Sequence, residues 1–287
     1  LVGLVGASML ALTACSGGSE PESTGSAGAP DTDASVTIRL VLEPSNLDIR
    51  ETAGAALDQI LIDNVYQGLV ARTPEQEIVP SLASDYEVSG DGLTYTFTLR
   101  EGVTFHDGQE LTPQDVVWSL NQVKDNAAYR DSARLAGISS IAADGQEITI
   151  TLAQPDSSFL WNLSGRAGLV LKEGDTIDRK TKTNGTGPFK IESHQPGVKT
   201  VFKKNENYWK KLDSNIKEIV FTPIASDATR VAALLSGEVD VIEPVPIQDI
   251  QRVNASGNAQ VMTGPELRTI FLGMDQTRDE LLESNVK

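Results

Sequence analysis

Residues 93–100 read Leu-Thr-Tyr-Thr-Phe-Thr-Leu-Arg, an unbroken alternation of large apolar and short polar side chains. A period of two cannot follow one face of a helix. It puts Leu93, Tyr95, Phe97 and Leu99 on one side of a strand and three threonines on the other. Asp91-Gly92 is a turn dipeptide, so the strand is expected to be one arm of a hairpin. The device recurs. Asp144-Gly145 leads into Glu147–Leu152, and Gln195-Pro196-Gly197 divides a strand pair that begins at Gly187-Pro188-Phe189. Helical signals are interleaved with these hairpins. Thr112-Pro113-Gln114-Asp115 has a hydroxyl N-cap, a proline at the first helical position and an acid three residues past the cap. Val116, Val117, Leu120 and Val123 supply its apolar side, and Leu57, Ile60, Leu61, Val65 and Leu69 form the stripe of an earlier helix. Further strands are expected at Val36–Leu42, Ile216–Thr222, Val239–Ile242, Gln260–Met262 and Thr269–Leu272. Further helices are expected at Asp227–Ser236, ended by Gly237, and at Ile247–Val253. Hairpins mixed with helices define an α/β class with mixed sheets.

Charge and residue usage narrow the chemistry. The chain has 287 residues, with 24 Lys+Arg against 40 Asp+Glu and a net charge of -16. A surface this acidic argues against nucleic-acid binding and against loose docking on anionic lipid. It would raise the local concentration of cationic ligands, and a solvated acidic surface accounts for it equally well. One cysteine and two histidines, His106 and His194, leave little for thiolate metal sites or histidine-based triads. His106-Asp107-Gly108 reads as a turn beside the Leu93–Arg100 strand in preference to a metal site. No nucleophile elbow, zinc-protease helix or phosphate-binding glycine loop is present, and Gly185-Thr-Gly187 lacks the third glycine of a dinucleotide loop. Paired carboxylates remain as the route to a hydrolase, because 40 acidic residues always offer pairs.

The first fourteen residues are uncharged and largely apolar, too few to span a bilayer and of the length of an export-signal core. The chain opens on Leu1 without a basic leader, and it stops soon after an expected strand. Both ends therefore read as interior to a longer sequence. Leu12-Thr13-Ala14-Cys15 resembles a bacterial lipobox, in which Cys15 carries the lipid. Residues 16–35 contain no large apolar side chain. Nothing there offsets the entropy of ordering, so 15–35 is expected to be a flexible tether.

Several segments together resemble the family 5 extracellular solute-binding proteins, the peptide and nickel receptors of ABC importers. They are Tyr66-Gln-Gly-Leu-Val70, Pro80-Ser-Leu-Ala83, Asp91 through Gly108, Leu111 through Leu120, Gly185-Thr-Gly-Pro-Phe189, Asn205-Glu-Asn-Tyr-Trp209 and Leu235-Ser-Gly-Glu-Val-Asp240. The resemblance implies a periplasmic-binding-protein-like bilobal fold, with lobe one nearly complete here and lobe two mostly missing. By resemblance, 36–50 and 184–265 form the core of lobe one, 51–183 an inserted subdomain, and 266–287 the start of lobe two. It implies a monomeric receptor without catalytic activity or cofactor. Such a receptor captures a peptide or other small solute and hands it to an ABC permease with its ATPase. It would work in the periplasm or on the outer face of the cytoplasmic membrane. Nickel chelates, haem and sugar oligomers are the alternative cargoes, and a surface lipoprotein outside transport is the alternative role.

The same resemblance marks candidate ligand contacts. Glu43, Pro44, Ser45 and Asn46 follow the first core strand, where open α/β sheets bind ligands; an ordinary strand-to-helix turn explains the same residues. Trp118 is either a core aromatic or a neighbour of the ligand. Gly185, Thr186, Gly187 and Phe189 belong to a glycine-rich re-entry segment that serves as a tight crossover, as cleft wall, or as both. Tyr208-Trp209 reads as packing. If Cys15 carries the anchor, Cys15→Ala in the full gene product shifts the protein from the membrane to the soluble fraction, as cell fractionation would register. Unchanged partitioning would refute the lipobox.

Overall fold

A computed structural model describes residues 34–264 apart from 213. The expected lipobox and tether, the strand at Thr269–Leu272 and the segment 266–287 lie outside the described residues. The first strand, β1 (Ala34–Leu40), leads through a loop to helix α1 (Ala55–Leu61) and the ribbon β2 (Val70–Arg72) and β3 (Ile78–Pro80). Next come β4 (Ala83–Val88), β5 (Thr94–Leu99), α2 (Pro113–Asp125), α3 (Ser132–Leu135), β6 (Ile138–Asp144), β7 (Glu147–Leu152) and α4 (Phe159–Leu163). The chain continues with β8 (Phe189–Gln195), β9 (Lys199–Lys204), β10 (Ile216–Pro223), α5 (Asp227–Ser236), β11 (Val241–Glu243) and α6 (Ile250–Ala255).

Two sheets organise these elements. The first has order β11-β1-β10-β9-β8, with β1 parallel to β10 and β11, and β9 antiparallel to β10 and β8. The second is antiparallel with order β4-β5-β7-β6. The alternation at 93–100 behaves as its period requires. Tyr95, Phe97 and Leu99 are buried, and Ile148 and Ile150 of β7 are buried beside them. Helix α2 covers that face with Val116, Leu120 and Val123. Its start carries a full capping box: Thr112 accepts from the Asp115 N–H, and the Asp115 carboxylate accepts from the Thr112 N–H. A second apolar cluster lies on the five-stranded sheet. Leu40, Phe189 and Phe202 meet Leu57, Ile60 and Leu61 of α1, so α1 packs with the five-stranded sheet although it sits in the 51–183 stretch.

Three expectations differ from the structure. The helix expected to run from Leu57 to Leu69 ends at Leu61, and Asp63 adopts a left-handed φ of 61°. Val65 and Leu69 are buried nonetheless, because the turn folds them under the re-entry segment. Gln260–Met262 is not a strand: the Val261 N–H is taken by the Asn254 side chain, and Met262 is exposed. The expected strand at Val239–Ile242 begins only at Val241, since Asp240 instead brackets Thr37 through both its N–H and its carboxylate. Helix α5 keeps its expected bounds, with Gly237 closing it at a left-handed φ of 75°.

The re-entry segment is where the two sheets' territories are fastened. Gly187 N–H donates to the Val65 carbonyl at 2.9 Å and Phe189 N–H to the Asn64 carbonyl at 3.0 Å. A β-carbon on Gly185 would sit 1.9 Å from the Val65 oxygen, and one on Gly187 would sit 2.4 Å from the Asn64 oxygen. Only glycine permits this approach. His106 closes the fastening from the other side. Its N–H donates to the Gly185 carbonyl at 2.8 Å, and its carbonyl accepts from Lys190 at 2.9 Å. Its ring Nδ1 accepts from the Gly185 N–H at 3.4 Å. Nε2 lies 3.0 Å from the Gly187 carbonyl and so carries the proton. Desolvation pushes the His106 imidazole down to about 4, with Lys190 adding to the effect and the Gly187 bond and Asp107 opposing it.

Two outcomes follow from this fastening. Gly185→Ala forces backbone apart and lowers unfolding stability by about 1–3 kcal/mol, measurable by urea titration; a wild-type midpoint would contradict the close packing. The unfolded imidazole takes up its proton near pH 6.5 and the folded one only near 4, so the unfolded chain binds more protons between them. The stability held by neutral His106 is complete above about pH 6.5 and is lost as pH falls toward 4. His106→Gln keeps the reach toward Gly187 and removes the titration. Its urea midpoint therefore declines less than that of the wild type between pH 7 and pH 5; an equal decline would exclude His106 as a source of the acid sensitivity.

Candidate functional site

The parallel arrangement of β1, β10 and β11 brings their carboxyl ends to one edge. The loop 41–46, Ile224-Ala225 and Pro244 emerge there. The turn 195–198 joins them, because Thr200 at the start of β9 stands opposite Phe221 near the end of β10. Arg230, fully buried on α5, ties two of these loops together. It donates to the carbonyls of Ile224 at 3.0 Å, Ala225 at 3.3 Å and Pro244 at 3.3 Å, and pairs with Asp227 at 2.6 Å. The edge also carries apolar side chains facing solvent: Leu42 is 62% exposed, Val198 58% and Ile247, just after β11, 85%.

The expected contact residues divide by position. Glu43 accepts from the Gly197 N–H at 2.6 Å and so bridges the first loop to the β8–β9 turn. Ser45 is exposed and Pro44 is buried. The Asn46 carbonyl oxygen accepts from the Asp48 N–H and the Thr52 hydroxyl, shaping the loop itself. Trp118 is half-buried on α2 against the cluster that contains Leu40 and Leu47. Thr186 is fully buried and donates to the Gln67 side chain, and Phe189 is in the core beside Phe202. The structure thus places Glu43, Pro44, Ser45 and Asn46 together at the carboxyl edge, and Gly185, Thr186, Gly187 and Phe189 in the packed crossover. Tyr208 and Trp209 both bond the Gln67 amide, the packing role expected of them. Among the described residues no three His, Cys, Asp or Glu side chains form a metal-type group.

A second feature was invisible in the sequence. Between α1, β2, α3 and α4 lies a cavity of about 460 Å³. Four arginines line it, Arg72, Arg130, Arg134 and Arg166, against two aspartates, Asp58 and Asp131. A local excess of two positive charges thus sits in a chain whose net charge is -16. Arg166 is buried and spoken for: Nε reaches Asp58 at 2.9 Å, and Nη1 donates to the carbonyls of Ile49 and Thr52. Arg134 pairs with Asp131 at 3.0 Å and donates to the Asn162 carbonyl oxygen at 3.1 Å. Arg72 lies over the Trp161 ring, 4.4 Å from its centre. Arg130 is exposed and has no hydrogen bond or ion pair to another described residue. These residues are scattered over 58–166 with no motif spacing, and only the exchange of partners in the folded state separates the free guanidinium groups from the structural ones.

Comparison with known proteins places this geometry. Residues 77–287 match the model of the bacterial extracellular solute-binding proteins, family 5. The glutathione-binding protein GsiB of Escherichia coli K12 is 28% identical over 238 residues, which are 79% of this chain and 45% of that protein. Among solved structures, the binding protein AgaA of A. tumefaciens R10 in complex with agropinic acid superposes with a TM-score of 0.72 at 29% identity, covering 77% of this chain and 46% of that one. DppA of Helicobacter pylori in complex with the peptide STSA gives 0.70 at 26% identity, covering 78% and 49%. The chain spans about half the length of the curated relatives it matches. Its mixed α/β architecture is that of periplasmic binding proteins, and with the family model covering most of its length the chain belongs to the family 5 bacterial extracellular solute-binding proteins.

Proposed function

We propose that the protein is the receptor of an ABC importer and captures a peptide between two hinged lobes for delivery to a permease and its ATPase. The observation that carries the reading is the carboxyl edge of the five-stranded sheet. It holds exposed Leu42, Val198 and Ile247 around polar Glu43 and Ser45, and relatives named for binding glutathione and the peptide STSA share the fold. An apolar wall with few polar fixtures suits an extended backbone, whose own N–H and C=O groups supply the directional bonds. In this reading 36–50 and 184–265 build the lobe core and 51–183 the inserted subdomain. Glu43, Pro44, Ser45, Asn46 and Trp118 contribute to the cleft wall, and Gly185, Thr186, Gly187 and Phe189 set its base. The chain binds without altering its solute, works as a monomer, and is held by lipid on Cys15 at the outer face of the cytoplasmic membrane or in the periplasm.

Ligand stabilises a closed form through contacts that only both lobes together can make. Small-angle scattering of the full gene product is therefore expected to report a smaller radius of gyration when a saturating tripeptide mixture is added, with the peptides recovered intact. Unchanged scattering together with no heat of binding would refute the receptor reading. Hydrolysis of the peptides would replace it with an enzyme.

A further inference from the structure

The cavity between α1, β2, α3 and α4 differs in character from the apolar edge, and it names a chemistry. We infer that it receives a carboxylate of the captured solute, with Arg130 as the principal donor and Arg72, held on Trp161, as the second cation. The inference rests on the receptor reading and specifies the substrate class of that receptor.

The argument is one of unmet valence. Arg166 and Arg134 are engaged by Asp58, Asp131, Asn162 and main-chain carbonyls, so they build the cavity wall. Arg72 and Arg130 line the same cavity and make no hydrogen bond or ion pair with a described residue. Asp63, outside the lining, lies near enough to Arg72 to feel its charge but does not pair with it. Two unpaired guanidinium groups on one concave surface repel each other, and an anion between them relieves that repulsion. The guanidinium fork matches the two oxygens of a carboxylate, and stacking on Trp161 holds the Arg72 plane in a fixed orientation at little further entropy loss. The chain as a whole is strongly acidic, so its far field disfavours anions; only a short-range device such as this one can select them. A neutral solute would leave both groups as they are and gain nothing from the cavity.

The test is isothermal titration of the full gene product with trialanine, with glutathione and with the C-terminal amide of each. The free acids are expected to bind at least about tenfold more tightly than the amides, the scale of one charge-assisted hydrogen bond. Arg130→Gln, at an exposed position that does not threaten folding, should reduce the preference to about twofold or less. Arg252→Gln, the same charge change on α6 remote from the cavity, should leave it intact. Equal binding of acids and amides by the wild type, or an undiminished preference in Arg130→Gln, would overturn the inference and leave the receptor standing. No heat with any of the four probes would overturn the peptide receptor and this inference together.

Discussion

The structure depends on one contact between two stretches of main chain. Where the chain returns to the five-stranded sheet, the backbone at 185–187 lies directly on the backbone at 64–65, too close for any side chain to intervene. Without that contact, β8 would have no fixed origin, because the Phe189 N–H that opens the strand is bonded to Asn64. His106 adds a third participant. Its ring and main chain hold Gly185 and Gly187 from the flank of the four-stranded sheet, so one small segment positions both sheets. Burial of a neutral imidazole is tolerable here because both ring nitrogens have main-chain partners.

Elsewhere the long-range ties are guanidinium groups. Arg50 is buried and donates to the Ser119 hydroxyl and the Leu169 carbonyl, joining the first loop to α2 and to the segment before β8. Arg166 gathers the carbonyls of Ile49 and Thr52 with the Asp58 carboxylate, and Arg230 gathers the loops at the carboxyl edge. In each case a charged side chain is taken out of water, which is unfavourable unless nearly every donor finds an acceptor. The carbonyls that meet them come from loop segments with no ladder partner, so the arginines satisfy the loops and the loops satisfy the arginines. The acidic chain reserves its cations for the inside and for one cavity, and the result is a surface that repels anions around a recess that attracts them.

The parts legible in the sequence were those governed by neighbours a few residues apart. The hairpins at Asp91-Gly92, Asp144-Gly145 and Gln195-Pro196-Gly197 formed as their turn chemistry requires, and the Thr112 capping box and the Gly237 stop bounded their helices. The misreadings came where a distant partner outbid local preference. Leu57 to Leu69 keeps helical spacing throughout, yet the last two members of the stripe are buried by a turn because residues 185–187 occupy the space a continued helix would need. Gln260–Met262 has strand-like composition, but the Asn254 side chain takes its main-chain donor first. The apolar wall was approached through Glu43 to Asn46, since a loop after the first strand is a position the sequence reveals. The arginine cavity was not, since Arg72, Arg130, Arg134 and Arg166 stand at spacings that mean nothing along the chain.

The sequence by itself determined the periods: which segments alternate, which spiral, where each stops, and that their ordered succession resembles one receptor family. Period and capping act over one or two turns of chain, and so they survive without knowledge of the fold. Only the tertiary structure decided which glycines touch main chain, which arginines are struts and which are free, and that Thr186 and Phe189 face inward while Leu42 and Ile247 face out. Those outcomes depend on competition among partners far apart in sequence, and a guanidinium group is free or bound only by virtue of what else has reached it.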